Sequence, residues 1–303
     1  MKTEFQLREG LPLVSVLMPI FNGGKYLREA VEGILDQTFT DFEFLVLDDG
    51  STDDSLALLR QYAARDSRVR VITRENRGLT FSLNELLSYA RGEFVARMDA
   101  DDVVLPERFA RQAAFLGEHP GVVCVGGAYQ MIDSADRFLT TLTPPQTDAE
   151  IQYLHLSGHT AINHPTAMMR LAAVNRLGGY DSEYDLVEDL DLWLRLGEVG
   201  KLANLADVLL KYRLHDKSIS EKAGQKQREA ARRACESAWR RRHITGHLVL
   251  MALGVPVQTE PLNMHLYSNM AGGHGIVASV RQQFFMDGKQ LDRNHFQRMA
   301  GSC

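Results

Sequence analysis

The readable pattern opens at Val14-Ser-Val-Leu-Met-Pro-Ile20, a nearly unbroken apolar run that predicts a buried strand. Leu27, Ala30, Val31, Ile34 and Leu35 then recur at helical spacing, so a helix with one apolar stripe follows. Phe42 to Leu47 predicts a second strand. Asp53 to Ala64 predicts a second helix with Leu56, Leu59 and Ala63 on its inner face. Val69 to Thr73 and Phe94 to Met98 predict strands on either side of a helix over Thr80 to Ala90. Strands alternating with helices imply an α/β protein with a mostly parallel central sheet flanked by helices.

Beyond Pro106 the alternation fades. Pro106 to His119 predicts a helix with proline in its first turn, and Gly121 to Ile132 a strand. Thr143-Pro-Pro145 reads as a loop, and Val187 to Leu196 as a helix carrying acids beside Leu and Trp. The apolar stretch His247 to Val257 is short and holds a glycine and a proline, so no spanning helix is expected there. Met1 to Gly10 is polar and lacks the apolar run of a secretion signal.

In a parallel sheet, ligands sit beyond the carboxyl ends of the strands. Four successive strand ends here deliver polar or acidic residues to one edge: Phe21-Asn22, Asp48-Asp-Gly-Ser-Thr-Asp53, Asn76-Arg-Gly78 and Asp99-Ala-Asp-Asp102. Clustered carboxylates repel unless a cation joins them, and oxygen ligands suit Mg²⁺ or Mn²⁺. The alternative is a solvated acidic turn capping the Pro106 helix. Ser51 or Thr52 would cap the second helix, with Asp53 and Asp54 favourable at its positive end. Asp48 and Asp49 precede that turn, where a carboxylate can accept a hydrogen bond from a base or ribose hydroxyl.

The first strand is followed by Asn22-Gly-Gly-Lys25, which fits neither a dinucleotide Gly-x-Gly-x-x-Gly turn nor a Walker loop. Without a phosphate-cradling loop, a metal becomes the expected phosphate partner. Composition adds limits. The 303 residues, 45% apolar and 24% charged, allow one large domain or two ordinary ones with a self-sufficient core. The formal charge of −5 argues against nucleic acid as a partner. Cys124, Cys235 and Cys303 are too dispersed for a disulfide framework or a zinc site, which suits a reducing cytoplasmic compartment.

These residues, in this order, resemble the family 2 glycosyltransferases of the GT-A fold. The resemblance rests on Val14 to Asn22, Asp36 to Glu43, Asp48 to Asp53, Asn76-x-Gly78, Asn84, Gly92 to Phe94 and Asp99-Ala-Asp-Asp102 with Pro106-x-Arg108. Gly178-Gly-Tyr-Asp181, Glu188-Asp-Leu-Asp-Leu-Trp193 and Tyr212-Arg-x-His215 complete it, over roughly residues 12–220. Phe21 departs from the tyrosine often found there and keeps a ring for stacking.

The resemblance implies transfer of a sugar from a nucleotide-sugar donor, UDP-linked by family frequency, to an acceptor hydroxyl with inversion. Pro19, Phe21 and Asn22 would line the nucleotide pocket, with Asn76 and Gly78 at its edge. Asp49 would bind the base, with Asp48 beside it. Asp101 and Asp102 would form the metal and ribose site, supported by Asp99, and His215 would close over the metal and diphosphate. Asp189 would be the general base, with Glu188 and Asp191 as neighbours that push it toward a usable pKa; Asp191 is the competing candidate for the base. His164-Pro165 is a candidate acceptor contact, Arg77 and Arg97 are candidate diphosphate contacts or paired arginines, and Trp193 reads as core.

From Lys222 to His243 eight basic residues face only Glu229 and Glu236. Ala230, Ala234, Cys235 and Ala238 form a weak apolar stripe, so the segment is either a membrane-surface helix or a basic helix packed on the domain. The chain therefore divides into a GT-A domain over 1–220 and a helical extension over 221–303, whose helices pack on the core or on a second subunit. The expected function is a metal-dependent inverting glycosyltransferase with a glycan or lipid-linked acceptor, in surface polysaccharide or glycolipid assembly. It would work in the cytoplasm or on the inner face of the membrane. The competing classes are a sugar-phosphate nucleotidyltransferase, disfavoured by the lack of a Gly-x-Gly-Thr-Arg-like loop, and a nucleotide-sugar-binding protein without catalysis.

Overall fold

The computed structural model describes residues 10–215 and 224–244, together with the backbone of two short strands further on. The first half follows the alternating pattern closely. Strands β1 (Val14–Ile20), β2 (Phe42–Asp48), β3 (Val69–Thr73) and β4 (Phe94–Arg97) are joined by α1 (Leu27–Leu35), α2 (Ser55–Ala63) and α3 (Leu79–Tyr89). β1 pairs in parallel with β2 and β4, and β2 in parallel with β3. Every residue of β1 and β2 is buried, as expected of strands covered on both faces.

The second half completes a nine-stranded sheet with β5 (Val103–Val104), β6 (Val122–Ile132), β7 (Phe138–Leu142), β8 (Met168–Arg170) and β9 (Lys201–Arg213). The order is β3-β2-β1-β4-β8-β6-β9-β5, with β7 paired to β6. β6 and β9 run with β1 to β4, while β5, β7 and β8 run against them. The helices α4 (Arg108–Glu118), α5 (Asp148–Leu156), α6 (Leu171–Arg176) and α7 (Glu188–Leu196) fill in the two faces.

Strand side chains alternate between two cores. Val14, Val16, Met18, Phe44 and Val46 pack with α1 and with Phe109 of α4. Leu17, Leu45, Leu47 and Val95 pack with α3, Ile151 of α5 and Trp193 of α7. Trp193 is fully buried, in line with its reading as core.

Several expectations shift. α2 starts at Ser55 and buries Ser55, Leu59 and Tyr62, with Leu56 only partly covered. Ser51 and Thr52 do not cap it. Ser51 Oγ accepts from the Asn22 N–H and the Thr52 N–H donates to Asn22 Oδ1, while Asp53 Oδ1 accepts from the Ser55 N–H. α4 begins at Arg108, two residues past Pro106; Glu107 does not cap it through its side chain, and Gln37 Oε1 accepts from the Phe109 N–H at 3.2 Å, so the acidic turn at Asp99–Asp102 is not its cap.

Helix α8 (Gly224–Arg241) buries Ala230, Ala231, Ala234, Cys235, Ala238 and Trp239 against Leu156, Val187, Leu190 and Leu194. Trp239 Nε1 donates to the Leu156 carbonyl at 2.9 Å. The apolar stripe is therefore consumed by α5 and α7, and the face turned outward is basic. Lys222, His247 to Val257 and Cys303 lie outside the described residues. Of the residues beyond Ile244, those described are strands β10 (Phe284–Met286) and β11 (Lys289–Leu291), an antiparallel pair where helices were expected. The sequence between them, Asp287-Gly288, is a strong hairpin dipeptide.

Candidate active site

The carboxyl ends of β1, β2 and β3 form one interlocked rim. Asp48 Oδ1 accepts from the Ser51 N–H and Oδ2 from the Thr73 hydroxyl. Asp49 Oδ1 accepts from the Arg77 N–H at 2.8 Å and from the Arg74 guanidinium, and Oδ2 from the Gly78 N–H at 2.9 Å. The two acids thus shape the loops at their own strand end and at the end of β3. Gly50 and Gly78 both hold a positive φ, and a Cβ on Gly50 would meet the Asn76 backbone nitrogen at 2.8 Å.

Asn22, itself at φ 55°, binds Ser51 and Thr52 and ties the β1 end to the same rim. Phe21 beside it is 54% exposed, a free ring face at the mouth of the strand. Pro19 is buried within β1, so it shapes the rim from beneath. Asn76 is exposed in the loop that Asp49 holds. Arg77 lies over the Phe81 ring rather than within an ion pair.

The end of β4 carries the acidic cluster. Ligand atoms of Asp99, Asp101 and Asp102 lie within 4.8 Å of one another. Asp102 is buried; its Oδ1 accepts from the Arg213 N–H at 2.8 Å, while Oδ2 is buried without a partner among the described residues. Burial, then the charges of Asp99 and Asp101, hold the Asp102 carboxyl well above the usual range. Burial likewise raises Asp99, against the pull of the ion-paired Arg97 guanidinium. A buried, orphaned carboxylate oxygen within a three-acid cluster fits a hard divalent cation.

His215 Nε2 sits 2.8 Å from Asp101 Oδ2, which places it at the cluster as expected. Arg213, two residues earlier, is the residue that sequence reasoning passed over. It is fully buried. Its Nε donates to the Asp101 carbonyl at 2.8 Å, its Nη2 meets Glu29 at 2.8 Å, its Nη1 pairs with Asp136, and its guanidinium lies over the Tyr26 ring. It locks the acidic turn to α1 and to the β6–β7 hairpin. Its only sequence signal was its place within Tyr212-Arg-x-His215.

Arg97 connects this cluster to the start of α7. It is buried, pairs with Asp99, and its charge also acts on Asp102, Glu188, Asp189 and His164. Of its two readings, paired arginine is the one found. Beneath it, the buried Arg108 donates to the Arg97 carbonyl at 2.9 Å and to the Ala167 carbonyl at 3.2 Å. With no carboxylate partner, burial and the nearby Arg97 charge bring Arg108 down to about 9.

Glu188 and Asp189 open α7. Burial, reinforced by Asp189, pushes Glu188 up to about 7; burial pushes Asp189 up to about 6. Asp189 is half-buried, its Oδ1 accepts from the Leu190 N–H at 2.7 Å, and no guanidinium or ammonium pairs with it among the described residues. Asp191 turns away. It is buried and pairs with Arg195 at 2.6 Å. His164 is also buried, bonded to the Tyr180 hydroxyl at 2.9 Å, so it does not present itself as an open acceptor contact.

A family model described as Glycosyl transferase family 2 matches residues 15–178. EpsE of Bacillus subtilis (strain 168) is 38% identical over 207 residues, covering 67% of this chain and 73% of that protein. The O-antigen biosynthesis glycosyltransferase WbnJ of Escherichia coli is 32% identical over 217 residues, covering 70% and 84%. In three dimensions the fold matches S. aureus TarS in complex with UDP-GlcNAc, with a TM-score of 0.60 at 23% identity over 73% of this chain. The chain spans 65% of that TarS chain. The mannosyltransferase PcManGT from Pyrobaculum calidifontis, in complex with GDP-Man and Mn²⁺, matches with a TM-score of 0.56 at 18% identity, over 79% of this chain and 66% of that one. Both structures share the GT-A type fold.

The raised Glu188 has a consequence for stability. A carboxyl whose folded pKa is raised binds its proton more tightly when folded, so native stability falls as pH climbs from the unfolded value toward about 7. Glu188→Gln removes that cost. It is expected to stabilise the protein by about 1–3 kcal/mol at pH 8, with the gain vanishing below about pH 4.5. Urea unfolding across pH reads both numbers, and a Gln variant no more stable at pH 8 than at pH 4 contradicts the assignment.

Proposed function

The chain belongs to glycosyl transferase family 2, and on that footing we propose that it is a metal-dependent inverting enzyme that moves a sugar from a nucleotide-sugar to an acceptor hydroxyl. The supporting observation is that the charge of Arg97 acts on both a buried Asp102 oxygen without a partner among the described residues and the half-buried Asp189 carboxylate. One corner takes a cation and the other takes a proton. We read residues 1–220 as the catalytic domain and 221–303 as an extension, of which α8 packs on α5 and α7.

In this reading Phe21 stacks on the base of the donor, with Asn22, Asn76 and the Asp48 and Asp49 rim around it. Asp101 and Asp102 would hold Mn²⁺ or Mg²⁺, with Asp99 behind them and His215 at their side. A divalent ion so held supplies charge stabilisation for a departing diphosphate. Asp189 orients the acceptor hydroxyl and accepts its proton as the new glycosidic bond forms. A single direct displacement needs one base, which inverts the anomeric carbon. A pKa near 6 keeps Asp189 mostly ionised at neutral pH while leaving it stronger than an exposed aspartate.

The relatives' names favour surface polysaccharide assembly, and UDP-linked donors fit the likeness to TarS. A glycan or lipid-linked acceptor follows from that setting. The outward face of α8, with Lys226, Arg228, Arg232, Arg233 and Arg240 exposed, suits electrostatic contact with an anionic membrane surface from the cytoplasmic side. It does not suit insertion, because the apolar stripe is already covered.

Melting scans with Mn²⁺ and a panel of UDP-, GDP- and dTDP-sugars are expected to single out one donor, which is then turned over with an acceptor glycan. The absence of both stabilisation and turnover with every donor in the panel overturns the reading. Asp189→Asn is expected to lower transfer by about 100-fold or more with donor binding kept. Asp191→Asn is expected chiefly to lower stability, by about 3 kcal/mol, because it breaks a buried pair. The reverse outcome would move the base to Asp191.

Vesicle sedimentation addresses the basic helix. Phosphatidylglycerol vesicles at low salt are expected to carry the protein down, phosphatidylcholine vesicles are not, and rising ionic strength is expected to release it. Equal sedimentation with both lipids, or with neither, removes the membrane contact.

A further inference from the structure

Asp189 has a task in the proposed chemistry, whereas the buried acid next to it has none. Glu188 faces four polar neighbours: Asp189 and Asp185 from its own segment, Arg97 from β4, and His164 from the turn His164–Thr166 that precedes β8. His164 Nδ1 lies 3.9 Å from Glu188 Oε1. The other ring nitrogen, Nε2, is 2.9 Å from the Tyr180 hydroxyl. The edge of the ring pair with Trp193 closes the remaining side, at 5.8 Å between centroids.

The position of Tyr180 is fixed independently. Asn84 on α3 grips its backbone twice, with Oδ1 accepting from the Tyr180 N–H and Nδ2 donating to the Tyr180 carbonyl, both at 2.8 Å. The grip needs Gly179 beside it, at φ 78°, where a Cβ would meet Asn84 Oδ1 at 2.4 Å. Burial holds the Tyr180 phenol above its ordinary range, so it keeps its proton. Burial, then the Arg97 charge, hold the His164 ring well below its ordinary value, so the ring is neutral.

A protonated phenol can donate to a bare Nε2 or accept from an Nε2–H. The Glu188 carboxyl 3.9 Å from Nδ1 favours the first arrangement, with the ring proton on Nδ1 and Nε2 accepting from Tyr180. We propose that His164 is a positioning residue for the acidic pair of α7: Tyr180 fixes its tautomer, and its Nδ1–H holds the Glu188 carboxyl inward and charged beside the base. A charged Glu188 raises the proton affinity of Asp189 and makes it a better acceptor for the hydroxyl proton. The 3.9 Å separation is of the kind that closes to a hydrogen bond when a substrate-filled site tightens. The proposal rests on Asp189 being the base, and its first readouts do not use turnover.

Long-range proton–nitrogen NMR of the full chain is expected to place the ring proton of His164 on Nδ1. The titration midpoint of the Glu188 carboxyl carbon is expected to rise by about one pH unit in His164→Ala and to move the same way in Tyr180→Phe. His164→Asn keeps an N–H near the place of Nδ1 and is expected to restore the native midpoint. In transfer assays with the donor found in the panel, the acid limb of kcat, which reports Asp189, is expected to move to lower pH where the Glu188 midpoint rises, while the donor KM stays unchanged. A proton on Nε2, an unmoved Glu188 midpoint in both His164→Ala and Tyr180→Phe, or His164→Asn behaving like His164→Ala overturns the proposal. The wild-type tautomer decides it even where a variant does not fold. Absence of turnover with every nucleotide-sugar instead counts against the glycosyltransferase chemistry and leaves the NMR result standing.

Discussion

The site depends on one buried cation. Arg97 pairs directly with Asp99, and its charge reaches Asp102, Glu188 and Asp189 as well. Without it, the buried Asp102 and Glu188 and the half-buried Asp99 and Asp189 would have no cationic charge acting on all of them. Removing one partner of a buried pair costs about 3–5 kcal/mol, because the charge left behind has no solvent. Arg97 in turn is fixed from below: its carbonyl accepts from Arg108, which also binds the Ala167 carbonyl opposite β4. One guanidinium fixes the strand end and the other balances what that strand end carries.

The arginine is too little charge for the number of acids around it. Asp102 and Glu188 remain raised despite Arg97, and Asp102 Oδ2 remains without a partner among the described residues. The shortfall is divided unevenly. It is concentrated at the β4 end, where three ligand atoms converge and a divalent ion fits, and it is milder at α7, where a proton is enough. The proposed cation site and the proposed base thus share one charge imbalance distributed over two elements.

The sequence pattern disclosed the scaffold where burial is periodic and hid it where elements are short. β1 to β4 and their helices followed the alternation, since parallel strands covered on both faces are nearly all apolar. β5 and β8, two and three residues long, complete the sheet without any readable period. The strand-end acids were located correctly, but their contacts were not legible. Asp48 and Asp49 hold loops through backbone N–H groups, a use of carboxylates that residue type alone does not separate from ligand binding. Arg213 and His164 were harder still, because a buried arginine or histidine is defined by distant partners, such as Glu29 and Tyr180, that spacing does not reveal. The basic helix was ambiguous for a related reason. An alanine stripe reads the same whether lipid or α7 covers it, and here α7 does.

The choice between Asp189 and Asp191 lay closer to the surface of the sequence than it looked. Residues two apart on a helix project to opposite sides, so Asp189 and Asp191 cannot both face one site. An arginine stands four residues after Asp191, the favourable order for an ion pair along a helix, and Arg195 does bind Asp191. Asp191 is paired within its own helix through Oδ2, while its Oδ1 is buried without a partner among the described residues, on the side turned toward the Leu177 carbonyl that Arg195 also binds. Asp189, on the other side, has only its neighbour's N–H and the field of Arg97. Helical periodicity turns the two acids to different sides, and the charge of Arg97 acts on Asp189 while Arg195 binds Asp191.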